Sequence, residues 1–136
     1  MFLNTEQIKI DTTFDLEKPA VVFADPEQIS RVFINLLKNA IQAIPEDREG
    51  KIGLQLETDS QRAKVKVTDN GKGIPEELGD KLFQPNFTTK SSGMGMGLAI
   101  VKSIIENAGG NIKFETALGK GTTFIVELPL MLEEKS

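Results

Sequence analysis

The sequence predicts an α/β (α+β) two-layer sandwich. One mixed, mostly antiparallel sheet of about five strands packs on three helices, with a lid along one edge. Three observations carry this reading. Apolar residues alternate in hairpin-like pairs, at 52–56 with 63–67 and at 112–114 with 124–128. Two other stretches, Glu27 to Ile41 and Leu98 to Ala108, repeat at steps of three and four. Between the two halves runs a polar stretch, 75–92, with no single period, the signature of a functional or mobile loop.

The elements follow in order. Gln7-Ile8-Lys9-Ile10-Asp11 alternates as a half-buried strand does, and Phe14 and Leu16 continue the period of two. Ala20-Val21-Val22-Phe23 is a short apolar strand candidate. Asp25-Pro26 reads as an N-cap with proline at the first helical position. Ile29, Val32, Phe33, Leu36, Leu37, Ala40 and Ile41 then form one helix face, which Pro45 ends. Asn35 and Asn39, one turn apart, border that face, with Arg31 and Gln42 near the same edge, so that amides could line a pocket. Glu46 to Gly50 is a charged, solvated loop. Ile52, Leu54 and Leu56 form a strand, Asp59-Ser60-Gln61 a turn, and Ala63, Val65 and Val67 a second strand ending at Asp69. Pro75-Glu76-Glu77-Leu78 starts a short helix. The helix from Leu98 ends at Gly109-Gly110, a C-terminal glycine signal. Ala117 to Gly121 joins the last two strands, and 131–136 is read as a frayed tail.

Composition narrows the chemistry. The 136 residues suit one domain, 1–136. With no Cys there are no disulfides, thiolate nucleophiles or Cys-ligated zinc, and with no His there is no Ser/His/Asp triad. A net charge of -4 and a pI near 4.9 argue against a generic nucleic-acid binder. No apolar run is long enough to span a bilayer, and Met1 to Glu6 lacks the parts of a signal peptide, so a cytoplasmic location without direct membrane contact is expected.

Two glycine-rich turns organise the rest: Asp69-Asn70-Gly71-Lys72-Gly73-Ile74 after a strand, and Gly93-Met94-Gly95-Met96-Gly97-Leu98 before a helix. An Asn-Gly pair is, by itself, a turn. A carboxylate at a strand end can also accept a hydrogen bond from an exocyclic amine such as adenine N6, with Gly73 keeping the floor beneath the base open. Free N–H groups at a helix start, among glycines, suit phosphate. The second cluster is no dinucleotide fingerprint, because Leu98 stands where the third glycine belongs, and no P-loop is present. Two helical Asn at i, i+4 ask for a reason, since Asn is a poor helix former. An amide oxygen is a hard ligand suited to Mg²⁺. A hydroxyl on the strand beginning at Gly119-Lys120-Gly121-Thr122 can reach a base held by Asp69, and Lys90 can screen a terminal phosphate.

In this order the motifs resemble the catalytic and ATP-binding domain of a two-component sensor histidine kinase, in the superfamily shared with DNA gyrase B, heat-shock chaperones and MutL. Asn35-Leu36-Leu37-Lys38-Asn39-Ala40 is similar to its asparagine box, and Asp69 to Ile74 to its first glycine box. Phe83 to Lys90 resembles its phenylalanine box, with Asn86 where a second aromatic is usual. Gly93 to Leu98 and Gly119 to Thr122 resemble the second and third glycine boxes. The resemblance implies a Bergerat-type fold with an ATP lid. It implies that Asn39 coordinates Mg²⁺ with help from Asn35, that Asp69 reads adenine, and that Gly73 and Thr122 support it. Gly95, Gly97 and Leu98 wrap the phosphates. Gln42, Gly71, Ile74, Phe83, Lys90, Gly93 and Met96 complete the ATP contacts, and Asn35 and Lys90 are the residues placed at the chemistry.

The resemblance further implies transfer of the ATP γ-phosphoryl group to a histidine. This chain has none. The acceptor is therefore expected on a helical dimerisation and phosphoacceptor domain of the same parent kinase. In the family that domain lies immediately N-terminal, so Met1 is expected to mark the start of a fragment. A response regulator is the further partner; the domain alone is expected to be monomeric and the parent a homodimer. Three rivals stand beside this reading. A gyrase-like ATPase needs a general-base Glu where Asn35 stands, and an amide cannot serve. An anti-sigma-type kinase would label serine instead, and a nucleotide-gated interaction module would transfer nothing.

Overall fold

The computed structural model describes residues 8–13, 20–84 and 97–131. Among these residues five strands form one sheet: β1 (Ile8–Thr13), β2 (Gly50–Thr58), β3 (Arg62–Asp69), β4 (Asn111–Ala117) and β5 (Gly121–Pro129), in the order β1-β2-β3-β5-β4. β1 runs parallel to β2, and every other pair is antiparallel, so the sheet is mixed as expected. Helices α1 (Pro26–Ala43) and α2 (Leu98–Asn107) pack on one face. The third helix of the sequence reading is a 3-10 helix, Glu76–Lys81.

Local chemistry sets the helix ends. The Asp25 carboxylate accepts from the Glu27 N–H at 2.9 Å, with Pro26 opening α1. At the end of α2, Gly109 adopts φ +85°; its N–H donates to Glu106 O, and that of Gly110 to Ile105 O. This is the double bond of a Schellman motif, which satisfies the last carbonyls.

Side-chain parity builds the core. Ile52, Val67, Ile112, Phe124, Val126 and Leu128 point to the helix side and meet Val32, Leu36, Ala40, Val101 and Ile105. Phe83 stacks on Phe114 at 6.0 Å between ring centroids, and Phe114 on Phe124 at 5.9 Å. Apart from the buried Ile125, the other sheet face is polar, with Glu127 on β5 paired to Arg62, Lys64 and Lys113. The three cations stay solvated at 39–59% exposure, and surface pairs of this kind contribute about 1 kcal/mol or less each, so stability comes mainly from the apolar face.

Two expectations need correction. Ala20 to Phe23 is no strand: among the described residues it offers one bridge, Val22 to Leu130, where it meets the residues that follow β5. Met131 is not frayed, since its N–H donates to Val21 O at 2.7 Å. The remaining tail, 132–136, lies outside the described residues, as do Phe14 and Leu16.

Candidate functional site

Apolar alternation on three neighbouring strands ends, in each case, on a polar residue of the same parity. β3 ends its inward series at Asp69, β5 begins its own at Thr122, and β4 carries Thr116 after Ile112 and Phe114. Register aligns the three, Asp69 with Thr122 and Thr122 with Thr116. They form a row at the edge of the core, where Asp69 and Thr122 are each 6% exposed.

Among the described residues, Asp69 is held on one side only. Its Oδ1 accepts from the Gly71 N–H at 2.8 Å and from the Thr122 N–H at 3.2 Å. Both bonds fall on the same oxygen, so among the described residues Oδ2 is left to an incoming donor. Burial pushes the carboxyl above the ordinary aspartate value of 3.8, and the two N–H bonds only partly offset this.

The turn after Asp69 is pinned from three directions. The Asn70 side chain continues the ladder to β2, accepting from Lys51 N–H at 2.7 Å and donating to Glu49 O at 2.9 Å. Lys72 N–H donates to Ala43 O at the end of α1, and Gly119 N–H to Lys72 O. Arg48 Nη1 spans the carbonyls of Asn70, Gly71 and Gly119 at 2.9, 3.3 and 2.9 Å. The glycines serve this packing. A Cβ on Gly71 would sit 2.5 Å from Ala43 O, and one on Gly73, at φ +78°, would collide with Ala117 O. Gly73 is therefore demanded by the chain beside it, where the sequence reading gave it to the space beneath the base.

Ile74 closes the row: its N–H donates to Thr116 Oγ1 at 2.9 Å. Thr116 and Arg48 were missed by the sequence reading. Thr116 carried a signal, a hydroxyl on the apolar parity of its strand. Arg48, inside a charged loop, carried none.

The asparagines sit on α1. Asn39 is half-buried, one helical turn before Ala43 and so near the pinned turn. Asn35 is 4% exposed, inside the apolar stripe and not beside it, and its Nδ2 has no hydrogen-bond partner among the described residues. An orphaned buried N–H donor fits a phosphate or water oxygen, and the nitrogen itself cannot ligate a metal, a role open only to the amide oxygens of Asn35 and Asn39. No group of three or more His, Asp or Glu among the described residues could hold a metal, so a bound cation would rest on amide and phosphate oxygens. Gln42 is half-buried on α1, and Arg31 pairs back to Glu27 at 3.4 Å.

Gly97 is the N-cap of α2, and among the described residues the Leu98 and Ala99 N–H groups of its first turn remain for an anion; the Leu98 side chain packs on the core. Phe83 faces Phe114 and lies under Lys102 Nζ at 5.6 Å, which makes it a packing residue. Lys90, Gly93, Gly95 and Met96, with Asn86, lie outside the described residues.

Comparison with known proteins matches residues 24–132 to the family described as "Histidine kinase-, DNA gyrase B-, and HSP90-like ATPase". Sensor histidine kinase ZraS of Escherichia coli (strain K12) is 39% identical over 97% of this chain. The chain spans 28% of that relative's length. The solved catalytic domain of histidine kinase ThkA, nucleotide-free, is 40% identical, with a TM-score of 0.80 over 94% of this chain and 82% of its own. Histidine kinase ThkA in complex with response regulator protein TrrA aligns at 37% identity and a TM-score of 0.76, over 95% of this chain and 36% of that one.

Proposed function

We propose, because this chain belongs to the histidine kinase-, DNA gyrase B- and HSP90-like ATPase family, that it is the ATP-binding catalytic domain of a sensor histidine kinase. The observation that carries the reading is Asp69: a buried carboxylate saturated on one oxygen and offering the other at the end of a strand. That oxygen accepts from the adenine amine. Gly71, Gly73, Ile74 and Thr122 hold the wall around it, and Gln42 borders the site from α1. The N–H groups at Gly97 and Leu98, with Gly93, Gly95 and Met96, take the phosphates. Asn35 donates to a phosphate oxygen, and Lys90 screens the terminal one.

Asn39, with Asn35 beside it, would hold Mg²⁺, which supplies charge neutralisation on the phosphates. The protein contributes no nucleophile. It fixes ATP so that the acceptor imidazole nitrogen attacks the γ-phosphorus in line. The bond from that phosphorus to the β–γ bridging oxygen breaks, ADP leaves, and the imidazole gives up its proton. Positioning and electrostatics carry the acceleration.

The acceptor histidine belongs to a helical dimerisation domain of the parent, a homodimer. A response regulator takes the phosphoryl group onward, as the complex of ThkA with TrrA supports. The domain alone is a monomer. No helix among the described residues is long and apolar enough to cross a membrane; a cytoplasmic site of action without direct membrane contact is part of the proposal.

The test adds a histidine-bearing helical dimer in trans with γ-labelled ATP and magnesium. Acid-labile phosphate on that histidine is expected. Label on serine, or brisk hydrolysis by the lone domain without transfer, overturns the reading.

A further inference from the structure

Thr116 Oγ1 stands among three partners. Ile74 N–H donates to it at 2.9 Å, Gly121 O lies 3.1 Å away, and Thr122 Oγ1 lies 2.9 Å away. A threonine hydroxyl has one hydrogen, and a carbonyl can only accept. One assignment makes all three contacts hydrogen bonds at once: Thr116 donates to Gly121 O, accepts from Ile74, and accepts from Thr122. The Thr122 hydrogen is then committed inward, to Thr116, and Thr122 Oγ1 presents only lone pairs to its other side.

Thr122 neighbours Asp69 in register, and its own N–H anchors the carboxylate. The two side chains thus form a wall that accepts and does not donate. We propose that Thr116 is a specificity-determining positioning residue, whose hydroxyl locks Thr122 as an acceptor so that the site takes 6-amino purine nucleotides and rejects 6-oxo ones. An exocyclic amine meets matching acceptors. A 6-oxo group brings its own lone pairs against them and leaves three oxygens facing one another in a buried place, the situation in which a polar site discriminates most strongly.

The inference rests on the nucleotide site of the preceding section, and it concerns the base, not the phosphates. It is tested by displacement of a fluorescent ATP analogue with ATP and with ITP, whose base is the 6-oxo counterpart of adenine. Wild type should prefer ATP. Thr116→Val removes the lock while keeping the shape; Thr122 can then turn its hydrogen toward a 6-oxo group. The ATP-over-ITP preference should fall by about tenfold or more, and Thr116→Ser should restore it.

A merely structural role predicts another pattern, in which both nucleotides weaken alike and the ratio holds. That result overturns the proposal. The double variant Thr116→Val with Thr122→Val is the second arm. Without the Thr122 hydroxyl there is nothing to lock, so the Thr116 change should leave the ratio of a Thr122→Val protein unmoved. A further drop overturns the proposal. If Thr116→Val fails to fold, Thr116→Ala is read in the same way. Absence of ATP displacement by wild type would instead remove the nucleotide reading itself.

Discussion

Arg48 and Gly119, 71 positions apart in the chain, meet in a 2.9 Å hydrogen bond from the guanidinium to the backbone carbonyl. The same nitrogen reaches Asn70 O and Gly71 O. One side chain from the loop after α1 therefore ties the turn behind Asp69 to the tip of the β4–β5 hairpin. Both turns carry walls of the candidate base site.

Arg48→Met should keep the aliphatic stem and lose the clamp. Hydrogen bonds to a charged group contribute about 1.5–3 kcal/mol, but the Arg48 side chain is 33% exposed, so the lower part of that range applies. Urea unfolding should show a stability loss of roughly 1–2 kcal/mol, with weaker ATP binding beside it. Stability and affinity equal to wild type would show that the clamp is idle.

Asp69→Asn should separate fold from function. Its Oδ1 can still accept from Gly71 and Thr122, so the turn survives, while Nδ2 replaces the acceptor offered to the ligand. The raised carboxyl makes ionised Asp69 a cost to the folded chain. Its contribution is most favourable below the unfolded value and is lost as pH rises through the folded one. At neutral pH the Asn variant should thus be at least as stable as wild type, yet bind ATP far more weakly. Calorimetric titration beside thermal unfolding measures both.

ATP affinity should follow the same titration. The base contact needs the carboxylate, so affinity should fall on acidification through a range lying above 3.8. Subtracting the pH profile of Asp69→Asn removes changes in the nucleotide itself. Parallel profiles for the two proteins would count against Asp69 as the reader.

Asn35→Leu should trade binding for stability. The buried Nδ2 lacks a partner among the described residues, and an unpaired buried donor costs about 1–3 kcal/mol. A leucine of similar size in that apolar stripe should raise the unfolding midpoint while weakening ATP. A less stable variant with unchanged affinity would remove Asn35 from the site.

Gly73→Ala should be severe for a backbone reason. The position combines φ +78° with a Cβ that would strike Ala117 O, and left-handed strain alone costs about 1–2 kcal/mol. Loss of both stability and ATP binding is expected. A variant as stable as wild type would show that the turn can re-form elsewhere.

How far the sequence reaches can be judged from single residues. Asp25-Pro26 and Gly109-Gly110 mark helix ends that the structure keeps, because capping is decided by neighbours along the chain. The period-two runs give β2 to β5 and the inward face of each strand. Ala20 to Phe23 looked like a strand but leaves Phe23 81% exposed, since apolar content does not supply a pairing partner. Arg48 was passed over because nothing local distinguishes a clamp from a solvated charge.

Sequence alone therefore determined the elements, their faces and the polar residues that interrupt the apolar parity: each depends on contacts within a turn of helix or along one strand. Tertiary structure decided which of those residues meet. The row Asp69, Thr122 and Thr116 exists through the order β3-β5-β4 and its register, and Arg48 finds its carbonyls through the same arrangement. Turns along the chain set the hairpins β2–β3 and β4–β5, but placing β5 beside β3 in this register is a long-range choice, fixed by burying one continuous apolar face against two helices.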